Sequence, residues 1–332
     1  MNAPAALRTP AEWESHAAMW LGFPSAADLW LEDLGPAQEE VAALARVLAG
    51  PGQERVRLLV CGEDARARAE ALLGGVSGVE IVPGRFGDIW LRDTGPIFVH
   101  GPEGPRAAGF RFNGWGGKYE LPGDDEVAEQ IADHAGAPLD RHGFILEGGA
   151  VDHNGQGVIL TTRQCLLNRN RNTGWTSDEA EAALAAALGA RRVIWLQDGL
   201  LNDHTDGHVD NLARFVGQNA VLVPQGTGMQ DPNFAIYEAA AEALEAQGVQ
   251  VLRCPSPGRV TDEDDVIVPA SFMNFIIANG AVIVPEYEGA PADHMAEALK
   301  PLFPDRRIVR LPSDHILTGG GSFHCITQQE IA

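Results

Sequence analysis

Apolar residues along the chain fall into two spacings. Short runs at Val56–Val60, Val193–Leu196, Val251–Cys254 and Ile308–Leu311 are rich in Val, Ile and Leu, and they read as buried strands. Residues 36–48, 177–188, 233–247 and 292–299 instead carry Ala, Leu and Glu at amphipathic helical spacing. Ser177 is placed to cap the second helix and Gly189 to stop it. A third pattern recurs between these elements: a start bearing Gly, Asp, His or Asn, then an apolar strand, a turn and a second apolar strand. It begins at residues 93, 148, 208, 271 and 319, roughly 50–60 residues apart, which is the spacing of a structural repeat. Asn-Gly and Gly-Gln-Asn between the apolar runs are hairpin signals. The fifth copy, Gly319-Gly-Gly-Ser-Phe-His-Cys-Ile-Thr327, is truncated by the chain end.

Five ββαβ-like units predict an α/β fold in which the units close radially, because closure leaves only short protected edges. The polar starts would then converge on one central site. A length of 332 residues allows two domains. The repeat and the absence of any Ser/Pro-rich linker instead favour a single domain over 1–332.

Composition narrows the function. Hydrophobic content of 45% and charged content of 21% are those of a globular protein. A net charge of −22 argues against a nucleic-acid partner, which would need a basic surface. It suits a small cationic substrate, although it serves solubility equally well. No apolar run reaches the ~18 residues of a membrane span, and the N-terminus lacks the pattern of a secretory signal. The four cysteines, Cys61, Cys165, Cys254 and Cys325, are scattered. This predicts reduced thiols and a cytoplasmic protein.

The chemistry-bearing residues lie at the unit starts. Cys325 follows three glycines that let backbone approach a ligand closely, a setting for a nucleophile. Cys165 and Cys254 lie in apolar segments, and Cys61 ends a strand; these read as inert thiols. His208-Val-Asp210 opens an apparent alternating strand, so its two polar side chains would share a face as an acid/base beside a carboxylate. His204 and His208 among aspartates could equally ligate a metal. His324, by the same alternation, would point away from Cys325. Asp93, before Thr-Gly-Pro, faces the expected pocket, but alone it would more simply be a turn-forming Asp; Asp88 fits the turn role better. Glu147, before Gly-Gly, reads in isolation as an exposed Glu. Trp90 suits either a core or a planar cation. Trp115 lies in a Gly-rich loop that would let it swing over a pocket.

Together these segments resemble the agmatine deiminase family of the guanidine-modifying (pentein) superfamily. The matching pieces are Pro10-Ala-Glu-Trp-Glu14, Trp90-Leu-Arg-Asp-Thr-Gly-Pro96, Phe112-Asn-Gly-Trp-Gly-Gly117 and Leu146-Glu-Gly-Gly149, then Asp206-Gly-His-Val-Asp-Asn211, Ser271-Phe-Met-Asn-Phe275 and Gly319 to Gln329. The resemblance implies a pentein fold, a fivefold pseudosymmetric α/β propeller, in a homodimer. It makes Cys325 the nucleophile and His208 the acid/base. Asp93 and Asp210 would clamp the guanidinium, Glu147 would be a further substrate-binding and supporting carboxylate, and Trp90 and Trp115 would be pocket walls. Where plant-like and lactic-acid-bacterial members have Glu-Thr-Asn-Gly-His or Asp-Thr-Asn-Gly-His, this chain has His204-Thr-Asp-Gly-His208, and it is shorter before residue 270. Both departures are expected to border the substrate's distal amine.

The implied enzyme is a hydrolase of C–N bonds in linear amidines, converting agmatine to N-carbamoylputrescine and ammonia on a route to putrescine. It would use a Cys325 thiouronium intermediate, with the thiolate favoured by the cationic substrate and protonated His208, and no metal or organic cofactor. Alternatives are deimination of free or peptidyl arginine, a metal-dependent ureohydrolase built on His204, His208 and the aspartates, and a degenerate guanidine-binding module.

Overall fold

The structure, a computed structural model, describes residues 7–332. Among the described residues, sixteen strands assemble into five small sheets. The chain opens with β1 (His16–Gly22), β2 (Val56–Val60) and β3 (Val79–Pro83). Four three-stranded sheets follow in order along the chain. The first comprises β4 (Ile97–Gly101), β5 (Gly104–Arg111) and β6 (Leu139–Ile145), and the second β7 (Val151–His153), β8 (Val158–Thr162) and β9 (Arg192–Leu196). The third comprises β10 (Arg214–Gly217), β11 (Ala220–Gln225) and β12 (Gln250–Pro255), and the fourth β13 (Ile276–Ile277), β14 (Ala281–Glu286) and β15 (Arg307–Pro312). In each, the first pair is an antiparallel hairpin and the second a parallel pair. A helix makes each parallel crossover, as such a connection requires: Val127–Ala135, Ser177–Leu188, Phe234–Ala246 and Asp293–Leu299.

The fifth unit is not truncated, contrary to the sequence expectation. β16 (Thr327–Ile331) pairs antiparallel with β1, which runs through helix Leu34–Ala49 to the parallel β2. The two ends of the chain thus build one unit together, extended by helix Glu63–Leu73 and β3. That helix and Val127–Ala135 were not foreseen; the first buries only Ala65, Ala69 and Leu73, too thin a stripe to stand out. The cap of Ser177–Leu188 is Thr176 rather than Ser177. Thr176 and Glu179 satisfy each other's backbone N–H groups as a capping box, and Gly189 ends the helix at φ 71°.

Each unit begins with a short helical turn: Leu91–Thr94, Gly148–Ala150, Val209–Asn211, Phe272–Asn274, and residues 323–326. The strand expected at His208-Val-Asp210 therefore does not start there. Leu212 and Ala213 N–H both close back on the Val209 carbonyl, and β10 begins only at Arg214. The same correction applies at 323–326, where Ile326 N–H bonds the Ser322 carbonyl and Thr327 N–H that of His324. A period of two says nothing about side-chain direction in such turns.

The five turns touch in order, and the last touches the first. Gly149 N–H donates to Asp93 Oδ1 at 3.0 Å, and the Gly148 and Val209 turns pack together. Ser271 Oγ donates to the Asn211 carbonyl at 2.6 Å, Cys325 N–H to Asn274 Oδ1 at 3.1 Å, and Arg92 N–H to the Cys325 carbonyl at 3.0 Å. This ring carries the polar residues, while Leu21 and Leu58 share an apolar cluster with Val41, Leu44 and Leu48 of helix Leu34–Ala49.

Candidate active site

Cys325 sits on the fifth turn at the floor of a cavity of about 270 Å³. Its Sγ lies 3.1 Å from Asn274 Nδ2 and 3.9 Å from Asp210 Oδ2. Burial, then Asp210 and Asp93, push its thiol well above the usual range. In the empty pocket the sulfur is therefore protonated. Gly321 packs against it: a Cβ there would lie 2.6 Å from the Trp90 ring and 3.1 Å from Cys325 Sγ.

Asp93 converges beside it from the first turn, and Asp210 and His208 from the third. A Cβ built on Gly149 would lie 2.5 Å from His208 Nδ1, 2.9 Å from Asp93 Oδ1 and 3.1 Å from Asp210 Oδ2. One point in space is thus ringed by an imidazole and two carboxylates, and only glycine leaves it open. Burial, reinforced by Glu147, raises Asp93 to about 7, although Trp115 Nε1 and Gly149 N–H both donate to it. Burial, reinforced by Asp93, raises Asp210 well above the ordinary carboxylate range. Burial, then the Arg171 guanidinium, pushes His208 well below 6.5, so its imidazole is neutral here rather than the cation expected from sequence. Three buried atoms at this point have no hydrogen-bond partner: Asp210 Oδ1 and both ring nitrogens of His208. Buried polar atoms normally find a partner in protein, water or ligand.

The remaining expected residues surround this corner. Glu147 is 1% exposed, not the exposed Glu its local sequence suggests, and it pairs with Arg171 at 2.6 Å behind Asp93. Trp90 and Trp115 both line the cavity. Trp115 does not swing freely: it is held at φ 52°, with its indole N–H on Asp93 at 2.9 Å. Asp88 accepts from Ile89 N–H, as a turn Asp would, and also from the Trp30 and Trp90 indoles. His204 stands at the cavity mouth with Nδ1 3.2 Å from Tyr119 Oη, but Asp206 turns away to Lys118, Asn170 and Arg171. The His204–His208–aspartate metal cluster does not form. Among the described residues, the metal-capable side chains that come within 4.8 Å of one another are Glu147, Cys165 and His208, and Glu147 there is already ion-paired.

The family model of Porphyromonas-type peptidyl-arginine deiminases matches residues 8–330, and the agmatine deiminase of Ectopseudomonas mendocina is 37% identical over 97% of this chain and 95% of its own. The chain belongs to the Porphyromonas-type peptidyl-arginine deiminase family. Among solved structures, the agmatine deiminase of Enterococcus faecalis superposes with a TM-score of 0.89 at 30% identity, covering 98% of this chain and 96% of its own. An amidinotransferase of Microseira wollei shares the fold alone, with a TM-score of 0.56 at 12% identity over 97% of this chain and 96% of its own. The fold is accordingly that of the penteins, fivefold pseudosymmetric α/β units.

Beneath the floor lies a layer that sequence reasoning missed. Arg214, fully buried, is paired with Glu12 and lies 3.4 Å from Asp152. Arg92 donates to Gln328, Gln329 and the His324 carbonyl. His324 bridges Asp210 at 2.7 Å and Glu12 at 3.1 Å. Glu12, Asn274 and His324 all stood inside matched family segments. A charged or amide residue flanked by apolar neighbours there was the available signal, but the sequence offered no partner for it.

Proposed function

We propose that this chain is an agmatine deiminase: agmatine and water give N-carbamoylputrescine and ammonia. The observation that carries the reading is the cavity itself. Cys325 and Asp93 line its floor, buried Asp210 lies behind them 3.9 Å from the thiol, and its lining includes Glu32, Asp33 and Asp88 but no lysine or arginine among the described residues. A guanidine with a second cationic end is attracted along its whole length. Free arginine would bring its carboxylate to an acidic wall with no cation to meet it.

Asp93 and Asp210 hold the planar guanidinium by charge-assisted hydrogen bonds. The arriving cation favours the Cys325 thiolate, and the proton passes to neutral His208. The thiolate adds to the guanidino carbon. Protonated His208 gives its proton to the departing nitrogen, ammonia leaves, and an S-alkylthiouronium remains. Neutral His208 then takes a proton from water as the oxygen adds to that carbon; collapse breaks the C–S bond, the hydroxyl proton passes to sulfur to release the ureido product and the thiol, and His208 gives its proton to solvent. No metal or organic cofactor enters this scheme. The whole chain acts as one catalytic domain in a cytoplasmic homodimer, and its product feeds putrescine formation.

Mass spectrometry of products from agmatine, free arginine and an arginyl peptide, run in parallel, tests this. The expected result is replacement of one NH by O in agmatine far faster than in the others. Preference for arginine or the peptide overturns the substrate, and release of urea overturns the reaction.

A further inference from the structure

His324 holds both ring nitrogens against carboxylates, Nδ1 at 2.7 Å from Asp210 Oδ2 and Nε2 at 3.1 Å from Glu12 Oε2. Each such contact requires a proton between its atoms. A neutral imidazole supplies one, so the trio must carry a second. Glu12 keeps its charge: Arg214 and His324 hold it well below the usual carboxylate range despite burial. The second proton therefore lies in the His324–Asp210 contact. In the empty pocket it belongs to Asp210, because Asp93 faces that carboxylate, while burial, Arg214 and Arg92 oppose an imidazolium at His324.

We propose that His324 is a positioning residue that takes this proton from Asp210 when the guanidinium binds. The proton moves from Asp210 Oδ2 to His324 Nδ1. Asp210 becomes an anion with Oδ1 on the substrate, and the imidazolium lies between Asp210 and Glu12. The proton count of the protein is unchanged by this step. The arrangement reconciles two demands on the floor: two carboxylates that cannot both be charged in an empty, buried pocket, and two anions once a cation arrives. The groups that face the trio from the packed elements are Arg92, Arg214, Arg306, His153, Asp93, Asp152 and Asp203, with Cys325 beyond Asp210. The proposal rests on reading Asp210 as a guanidinium ligand.

The test counts protons by calorimetry in buffers of different ionisation enthalpy, using the full-length Cys325→Ala protein and agmatine at pH 8. Asp93 is then mostly ionised already, so internal transfer predicts release of about 0.1 proton per agmatine bound. Release approaching one proton means that the Asp210 proton leaves to solvent, which overturns the proposal without any change at His324. Adding His324→Gln, which keeps an N–H for Asp210 but cannot store a proton, is expected to raise release toward one. In the parent enzyme His324→Gln is expected to raise KM about 10-fold with a smaller change in kcat, and its KM keeps falling above pH 8 where the wild-type value has levelled. A purely structural role would shift affinity and leave the proton count alone, and that result also overturns it. Arginine and an arginyl peptide titrated alongside separate a wrong substrate, which binds in agmatine's place, from a wrong proton path.

Discussion

At the floor of the pocket Cys325, Asp93 and Asp210 come from three turns of the ring, and each is fixed by a group from another turn. At the mouth, residues 29–33, in two short helical turns that meet at Leu31, share the wall with Tyr119 and His204. There Leu29 and Leu31 are 41% and 66% exposed, and Leu31 sits at φ 48°. The floor is over-determined and the mouth is not. The difference divides the labour: the floor sets which bond breaks, and the mouth sets which guanidine is presented. Changes at the floor are then expected to slow all guanidines alike, and changes at the mouth to reorder them.

The largest effect is expected from Cys325→Ala. The floor keeps its carboxylates but loses the atom that bonds carbon, so turnover falls by at least about 10³-fold while agmatine still binds. Ammonia release near the wild-type rate would remove the sulfur from the reaction. Next is Gly149→Ala. Its methyl would press to 2.5 Å of His208 Nδ1 and 2.9 Å of Asp93 Oδ1, the acid/base and one arm of the clamp. A loss of about 10²-fold in kcat/KM, equal for agmatine and any poorer guanidine, is expected. Unchanged kinetics would mean that the notch is not where the substrate sits.

The third prediction uses the strain of an empty floor. Asp93 is raised from 3.8 to about 7. A carboxyl raised in the folded state stabilises the fold fully below its unfolded value near pH 4, and that contribution disappears as pH rises through about 7. The unliganded protein is thus expected to lose stability between pH 4 and 7 on this account, by at most about 4 kcal/mol. Asp93→Asn removes the loss and keeps an acceptor for one of the two donors, Trp115 Nε1 and Gly149 N–H, which meet different carboxylate oxygens. At pH 8 the unliganded variant is therefore expected to melt above the wild type in calorimetry, although it binds agmatine poorly. An equal or lower Tm at pH 8 would count against a strained floor.

The same contrast explains what was legible in the sequence. The repeat was readable because each unit must bury an apolar hairpin and an amphipathic helix, which imposes periods of two and 3.6. Cys325, His208, Asp93 and Asp210 stood out because polar residues recur where each unit turns toward the centre. The side-chain directions of His208 and His324 were not readable, since tight turns obey neither period. Nor was the completion of the fifth unit by β1 and β2, because pairing of the two chain ends leaves no local trace. Glu147 looked exposed because its partner, Arg171, is 24 residues away. The mouth stayed dark for a related reason: its shape follows from loop closure, not from periodicity.

The smallest expected effect is the sharpest probe of the mouth. Of the carboxylates lining the cavity, Asp33 is engaged by His315 at 2.7 Å, Asp88 by two indoles, and Asp93 by Trp115 and Gly149. Glu32, at the rim, is the one with most freedom to meet a second cation. A solvent-facing pair of this kind contributes roughly 0.2–1 kcal/mol, so Glu32→Gln is expected to raise KM for agmatine only about two- to five-fold with kcat unchanged. The effect should shrink with added salt, because exposed charges are screened. For a guanidine of the same length with an uncharged end, the substitution is expected to change nothing. An equal loss for both substrates would place Glu32 in the fold of the rim rather than in the choice of substrate, and a fall in kcat would show that floor and mouth are coupled after all.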